Sequence, residues 1–274
     1  RAAESSQLEE RFHAAWKAGS QPEIDQFIGD AVGPERAGGL VPHTIAGDSN
    51  YGSCATLNSN GSCLKVIDTF RGAHLRLLGQ LKLSLKDLNR SIELNDRSAV
   101  AISNLGHTLS SLGRRDDALK AFSTAIKLDP NDSTYLSNRG HLLEEMGRYS
   151  EALVDFGEAI RTDPNNLLQW TNRANFFRNR GDYDRAIEDY DEAIRRTSDL
   201  GFSSIQYAYG DRAQCYLKKG EVLKALEDFS AAIDHDPDRA HRYTARGQVY
   251  LKIGNLERAR KDYDDAVSLD PTIV

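Results

Sequence analysis

An all-α fold made of repeated helical hairpins is predicted by three observations on this 274-residue chain. A glycine recurs every 34 residues, at Gly79, Gly113, Gly147 and Gly181, and again at Gly220 and Gly254 after a five-residue slip. Around each glycine, small and bulky apolar residues return at fixed offsets, with the three- and four-residue spacing of a helix face. Four prolines, Pro130, Pro164, Pro237 and Pro271, share one place near the end of the unit, where a helix must stop. A period in the range of about 20–50 residues marks an architecture in which each unit buries its apolar face on its neighbours.

Two segments precede the repeats. Residues 1–30 read as a helical segment of two short helices. The first, Ser6 to Gly19, has Ser6 as a cap and Leu8, Phe12 and Trp16 on one side. The second carries Pro22 in its first turn. Residues 31–64 are rich in Gly, Ser, Asn and Pro without periodicity and read as a loop or linker. Cys54 and Cys63 lie in that loop. They are either a disulfide closing a small loop in an exported protein or two unpaired thiols; with the thiols unpaired, the cytoplasm is the expected compartment. His43 with the two cysteines lacks a fourth ligand, so no metal site is expected. The chain opens at Arg1 rather than Met, which reads as a fragment or a processed product.

The repeats occupy 65–98, 99–132, 133–166, 167–200, 206–239 and 240–273, within one domain 65–273. With the places of each unit counted from one to thirty-four, place 15 holds the recurring glycine, whose left-handed backbone ends the first helix. Place 20 holds Ser84, Ala118, Ala152, Ala186, Ala225 and Ala259, and place 27 holds Ser91 followed by five alanines. Place 24 holds Leu88, Phe122, Phe156, Tyr190, Phe229 and Tyr263. Small residues belong where two helices cross closely, and bulky ones where the hairpin fills its core. Cys215 falls on the first helix of the fifth unit as a small packed residue. After Leu200 the proline is replaced by Ser198 and Gly201 to Ile205 are extra, which reads as a longer second helix, a change of curvature or a lengthened turn.

This pattern resembles the tetratricopeptide repeat (TPR) over Lys65 to Thr272. The resemblance implies a right-handed α-solenoid whose first helices line a concave, partner-binding surface. The first unit matches least, with Asp68 at the usual aromatic place. Place 7, commonly leucine in that family, holds Arg71, Arg139, Arg173, Arg212 and Arg246 here, and place 23 holds Asp87, Asp155, Asp189, Asp228 and Asp262. The second unit lacks both, having Leu105 and Ala121. The joint absence predicts structural Arg–Asp pairs, within a unit or between units, since a planar guanidinium suits a bidentate carboxylate contact. The alternative is a row of arginines that read acidic ligands.

The resemblance places Asn104, Asn138 and Asn172 on the inner face. Ser137, Thr171, His107, His141 and Asn175 accompany them. An amide both donates and accepts, so such a row can hold a peptide backbone; it is similar to the asparagine ladder of O-linked N-acetylglucosamine transferases. The lysine clamp of the chaperone-binding class is missing, with Thr69, Ala73, Asn104, Thr134 and Asn138 at the corresponding places. His107 and His141, one repeat apart at roughly 10 Å, are too far apart to share a metal ion.

Net charge is −6 and hydrophobic residues make up 39% of the chain. No basic face suggests nucleic acid, and no apolar run approaches the roughly 18–20 residues of a membrane span. No nucleophile–base pair, phosphate loop, cofactor motif or metal cluster stands out. The expected function is a non-catalytic scaffold that binds a protein or peptide segment. The rival expectation is a substrate- or regulator-binding arm of a larger enzyme. Residues 12–28 faintly resemble a segment preceding the kinase domain of some bacterial Ser/Thr kinases, although no kinase motif follows. Self-association is a third expectation, through apolar surface at Tyr263, Ala266 and Val267 of an uncapped last repeat.

Overall fold

The computed structural model describes residues 62–197 and 205–272. The expectations for residues 1–30, for the loop before α1, for a Cys54–Cys63 disulfide and for Ser198 and Gly201 to Ser204 lie outside the described residues. Twelve helices follow one another there: α1 (Ser62–Leu77), α2 (Leu81–Leu94), α3 (Ala99–Ser111), α4 (Arg115–Leu128), α5 (Ser133–Glu145), α6 (Tyr149–Thr162), α7 (Leu167–Asn179), α8 (Tyr183–Thr197), α9 (Ile205–Lys219), α10 (Val222–His235), α11 (Ala240–Lys252) and α12 (Leu256–Leu269). No strand occurs among the described residues. The fold is all-α, with helices packed in consecutive pairs.

Each boundary has a local cause. The place-15 glycines all have φ between 75° and 80°. After each glycine the next amide reaches back five residues to a helix carbonyl: Gln80 to Leu75, Arg114 to Leu109, Arg148 to Leu143, Asp182 to Phe177, Glu221 to Tyr216 and Asn255 to Tyr250, at 2.8–3.0 Å. This closure satisfies carbonyls that the helix end leaves open, and it needs a residue tolerant of positive φ. Three first helices start on a side-chain cap at place 34, with Ser98, Asp132 and Asn166 accepting from Ala101, Thr134 and Leu168. α1 begins at Ser62, three residues ahead of the repeat frame.

The chain forms two compact units, one ending at Ala118 and the other starting at Leu119. In the first, hydroxyls occupy places where later repeats have alanine. Thr69 Oγ1 lies 2.6 Å from Ser91 Oγ, and Ser84 Oγ lies 2.9 Å from Thr108 Oγ1, all four buried. Buried Asp68 sits 3.4 Å from both Arg71 and Arg90, and burial raises its carboxyl above the usual range.

The second unit has a conventional apolar core. Phe156 and Tyr190 are completely enclosed, against the buried alanines Ala152, Ala186 and Ala193. Phe229, Val249 and Tyr250 form the next cluster with Ala213 and Ala225. Each buried aromatic side chain contributes about 1.5–3 kcal/mol through its area alone. The hairpins close tightly at place 8: a Cβ on Gly140 would lie 2.9 Å from the Phe156 ring. Cys215 is buried among these residues, and burial pushes its thiol up to about 11.

Candidate functional site

Two sets of polar side chains stand out on this framework. One lies along the first helices of the repeats and the other joins first helices to second helices.

On α5, α7 and α9, which neighbour one another in that order, place 6 carries Asn138, Asn172 and Asp211. All three are half-buried. The Asn172 amide makes no hydrogen bond within the chain among the described residues. Asp211 accepts instead from Arg178 Nη1, tying α9 to α7. His141 packs edge-on against Phe156, with ring centroids 5.0 Å apart. Asn175 Oδ1 accepts from the Tyr190 hydroxyl at 2.6 Å, so its carbonyl is engaged inside the repeat. Thr171 Oγ1 donates to the carbonyls of Leu167 and Leu168 in its own helix. Ser137 is only 3% exposed and donates to Gln169 Oε1, while Gln169 Nε2 donates to Ser133 Oγ at 3.0 Å. Its hydroxyl is therefore turned to the α5–α7 contact and away from any ligand. In the first unit, Asn104 and His107 are half-buried on α3, and among the described residues the Asn104 side-chain amide has no hydrogen-bond partner.

The second set is the arginines of place 7. In five repeats Nε and one Nη donate to the two oxygens of the place-23 aspartate: Arg71–Asp87, Arg139–Asp155, Arg173–Asp189, Arg212–Asp228 and Arg246–Asp262, at 2.6–2.9 Å. Each pair joins the two helices of one repeat. Hydrogen bonding to the aspartate holds the guanidinium of Arg139, Arg173 and Arg246 above its usual range.

The repeat frame hid a further partner of these arginines. In three repeats the remaining Nη1 reaches back to place 25 of the preceding unit: Arg139 to Ser123 at 3.1 Å, Arg246 to Ser230 at 2.9 Å, and Arg212 to Asp191. Place 25 varies between Asn, Ser, Gly and Asp, so it escapes a search for constant residues. Its signal was its coupling to the arginine that follows.

Ala266 is fully buried and Tyr263 half-buried, leaving Val267 at 42% exposure. Place 21, Leu or Ile in the other repeats, is the exposed Arg260 here, beside Glu257, Lys261, Asp264 and Asp265. Charged side chains thus stand on the last helix beside the exposed apolar Leu256, Val267 and Leu269.

Among the described residues no group of three His, Cys, Asp or Glu side chains is placed to hold a metal ion, and no helix is long and apolar enough to cross a membrane.

Comparison with known proteins gives a consistent picture. The family model described as tetratricopeptide repeat matches residues 103–167, 171–240 and 211–272, more than half of the chain. The fold is similar to a chain of the APC/C hetero-tetramer Cut9–Hcn1, with TM-score 0.59 and 15% identity over 77% of this chain and 40% of that one. It is also similar to a tetratricopeptide repeat protein from Parabacteroides merdae, with TM-score 0.57 and 18% identity over 97% and 93% of the two chains. A thermophilic TPR protein of Thermus thermophilus gives TM-score 0.54 and 19% identity over 68% and 99%. At these identities the likeness is one of fold. The present chain spans two fifths of the length of the Cut9–Hcn1 chain it matches. No curated protein sequence matches it.

Proposed function

Because the chain belongs to the tetratricopeptide-repeat family, whose members bind protein or peptide partners and are generally non-catalytic scaffolds, we propose that it holds an extended peptide segment along the first helices of repeats 3 to 5 without catalysing a reaction on it. The observation that carries this reading is the half-buried Asn172 on α7, whose amide makes no hydrogen bond among the described residues. A peptide backbone offers donors and acceptors at regular intervals, and an amide side chain meets both. Asn138 stands at the same place one repeat earlier, and His141 lies beside it. Ser137, Thr171 and Asn175 act from behind, holding the helices that carry these groups. Asn104 and His107 present the same chemistry on the first unit.

Specificity then comes from side chains flanking the asparagines. Leu168 and Tyr207, both 54% exposed at place 2, offer apolar contact. The test is a random extended-peptide library screened against the wild-type chain, followed by affinity measurement of selected peptides on Asn138→Ala/Asn172→Ala. Loss of two charge-free hydrogen-bonding amides should weaken binding by about tenfold or more, with the circular dichroism unchanged. Selected peptides that bind the double variant as tightly as the wild type would overturn the reading.

A further inference from the structure

The arginine forks contain one gap. Arg139, Arg212 and Arg246 each complete the fork through Nη1, on Ser123, Asp191 and Ser230. Arg173 is held the same way on its own aspartate, at 2.8 and 2.7 Å. Place 25 of the preceding repeat, which supplies the Nη1 partner of the other three arginines, holds Gly157 here. Among the described residues Arg173 Nη1 has no hydrogen-bond partner. A Cβ built on Gly157 would meet nothing within 4 Å, so the space that a serine or aspartate fills elsewhere is open.

The guanidinium at this gap is fixed in place. Asp189 fixes its Nε edge, and its carbon lies 5.4 Å from the centre of the Trp170 ring. Trp170 is itself anchored by its indole N–H on the Pro164 carbonyl at 2.9 Å and has Arg196 4.9 Å from its ring centre. One quarter of the Arg173 side chain remains exposed. A donor so placed has little conformational freedom to lose when an acceptor arrives.

We propose that the notch between Gly157 and Arg173 receives a carboxylate side chain, Asp or Glu, of a docked polypeptide. The chain itself displays the chemistry of the occupant. In the next repeat the same nitrogen donates to a second carboxylate, Asp191, although Arg212 already pairs with Asp228. A fork with two acids therefore fits this framework geometrically, and Arg173 lacks only the second. Charge-assisted hydrogen bonds to a carboxylate are stronger than those to the serine hydroxyls that close two of the other forks. The notch lies where the second helix α6 meets the first helix α7 of the next repeat.

The test uses sodium acetate as probe, with sodium chloride at matched ionic strength as control, on the full chain with its arginine guanidinium signals followed by NMR. Arg173 should show a saturable shift, while Arg139 and Arg246, whose forks are closed by serines, should show none beyond the salt control. Gly157→Asp and Gly157→Ser place an acceptor in the notch at high effective concentration and should weaken acetate at Arg173 about tenfold or more. Gly157→Ala adds a methyl group without an acceptor and should keep the response. The proposal is overturned if Arg173 responds no more than Arg139 and Arg246, if Gly157→Asp responds as the wild type does, or if Gly157→Ala abolishes the response.

Discussion

Arg173 and Asp189 are the best place to measure one fork, because among the described residues no other acid pairs with that arginine. The carboxylate is buried and the guanidinium one quarter exposed, which places the pair between a surface ion pair and a fully buried one. A double-mutant cycle with Arg173→Leu and Asp189→Leu should return a coupling of about 1–3 kcal/mol in urea unfolding. A coupling near zero would mean the two geometries coincide without mutual stabilisation. His74 supplies a prediction with a sign in pH. It is half-buried on α1, and burial holds its imidazole below the ordinary value of 6.5. The folded state thus favours the neutral ring. Its stabilisation is whole above 6.5 and is lost as pH falls through the depressed value. The melting temperature of the wild type relative to His74→Gln should therefore decrease between pH 7 and pH 5. The raised carboxyl of Asp68 acts in the opposite direction in both proteins and cancels in that difference.

The helical hairpin is the element on which the fold rests, and its crossing point is place 8. Gly140 and Gly72 sit against Phe156 and Leu88, with a hypothetical Cβ 2.9 and 2.6 Å from them. Ala174 and Ala213 occupy the same place in other repeats and are fully buried without such crowding. Gly140→Ala should accordingly destabilise by about 1–3 kcal/mol through overpacking, despite alanine's better helix propensity, with a lower urea midpoint as the measure. These elements were legible in the sequence because their causes are local: a glycine, a cap and a stripe each recur at one place. The Arg–Asp pairs could be read because repeat 2 lacks both members at once. Gln169 with Ser133 and Ser137, and Arg178 with Asp211, could not, since each joins neighbouring repeats at places that the other repeats fill differently. A small polar residue on a helix looks the same in sequence whether it faces a groove or the next helix.

Across the whole molecule, stability is the sum of repeats and of contacts between neighbours, so it need not vanish in a single step. Repeat 1 builds its interior from hydroxyl pairs and a buried acid, and repeats 3 and 4 from Phe156, Phe177 and Tyr190. Trp170 lies in repeat 4, and the chain has two tryptophans. In a Trp16→Phe background its fluorescence reports on that repeat alone. Its urea midpoint should exceed the midpoint from far-ultraviolet circular dichroism, which averages over all helices. Coincident curves would instead show one cooperative block.

Buried Cys215 turns this arrangement into a clock. With its thiol held near 11 and sealed from solvent, it is a poor nucleophile while repeat 5 stays shut. In a chain whose other two cysteines are serine, a thiol-reactive dye added in excess would mark only molecules that have opened there. The rate of colour development would count the openings of a single turn in the array under native conditions, with no denaturant and no added label beforehand.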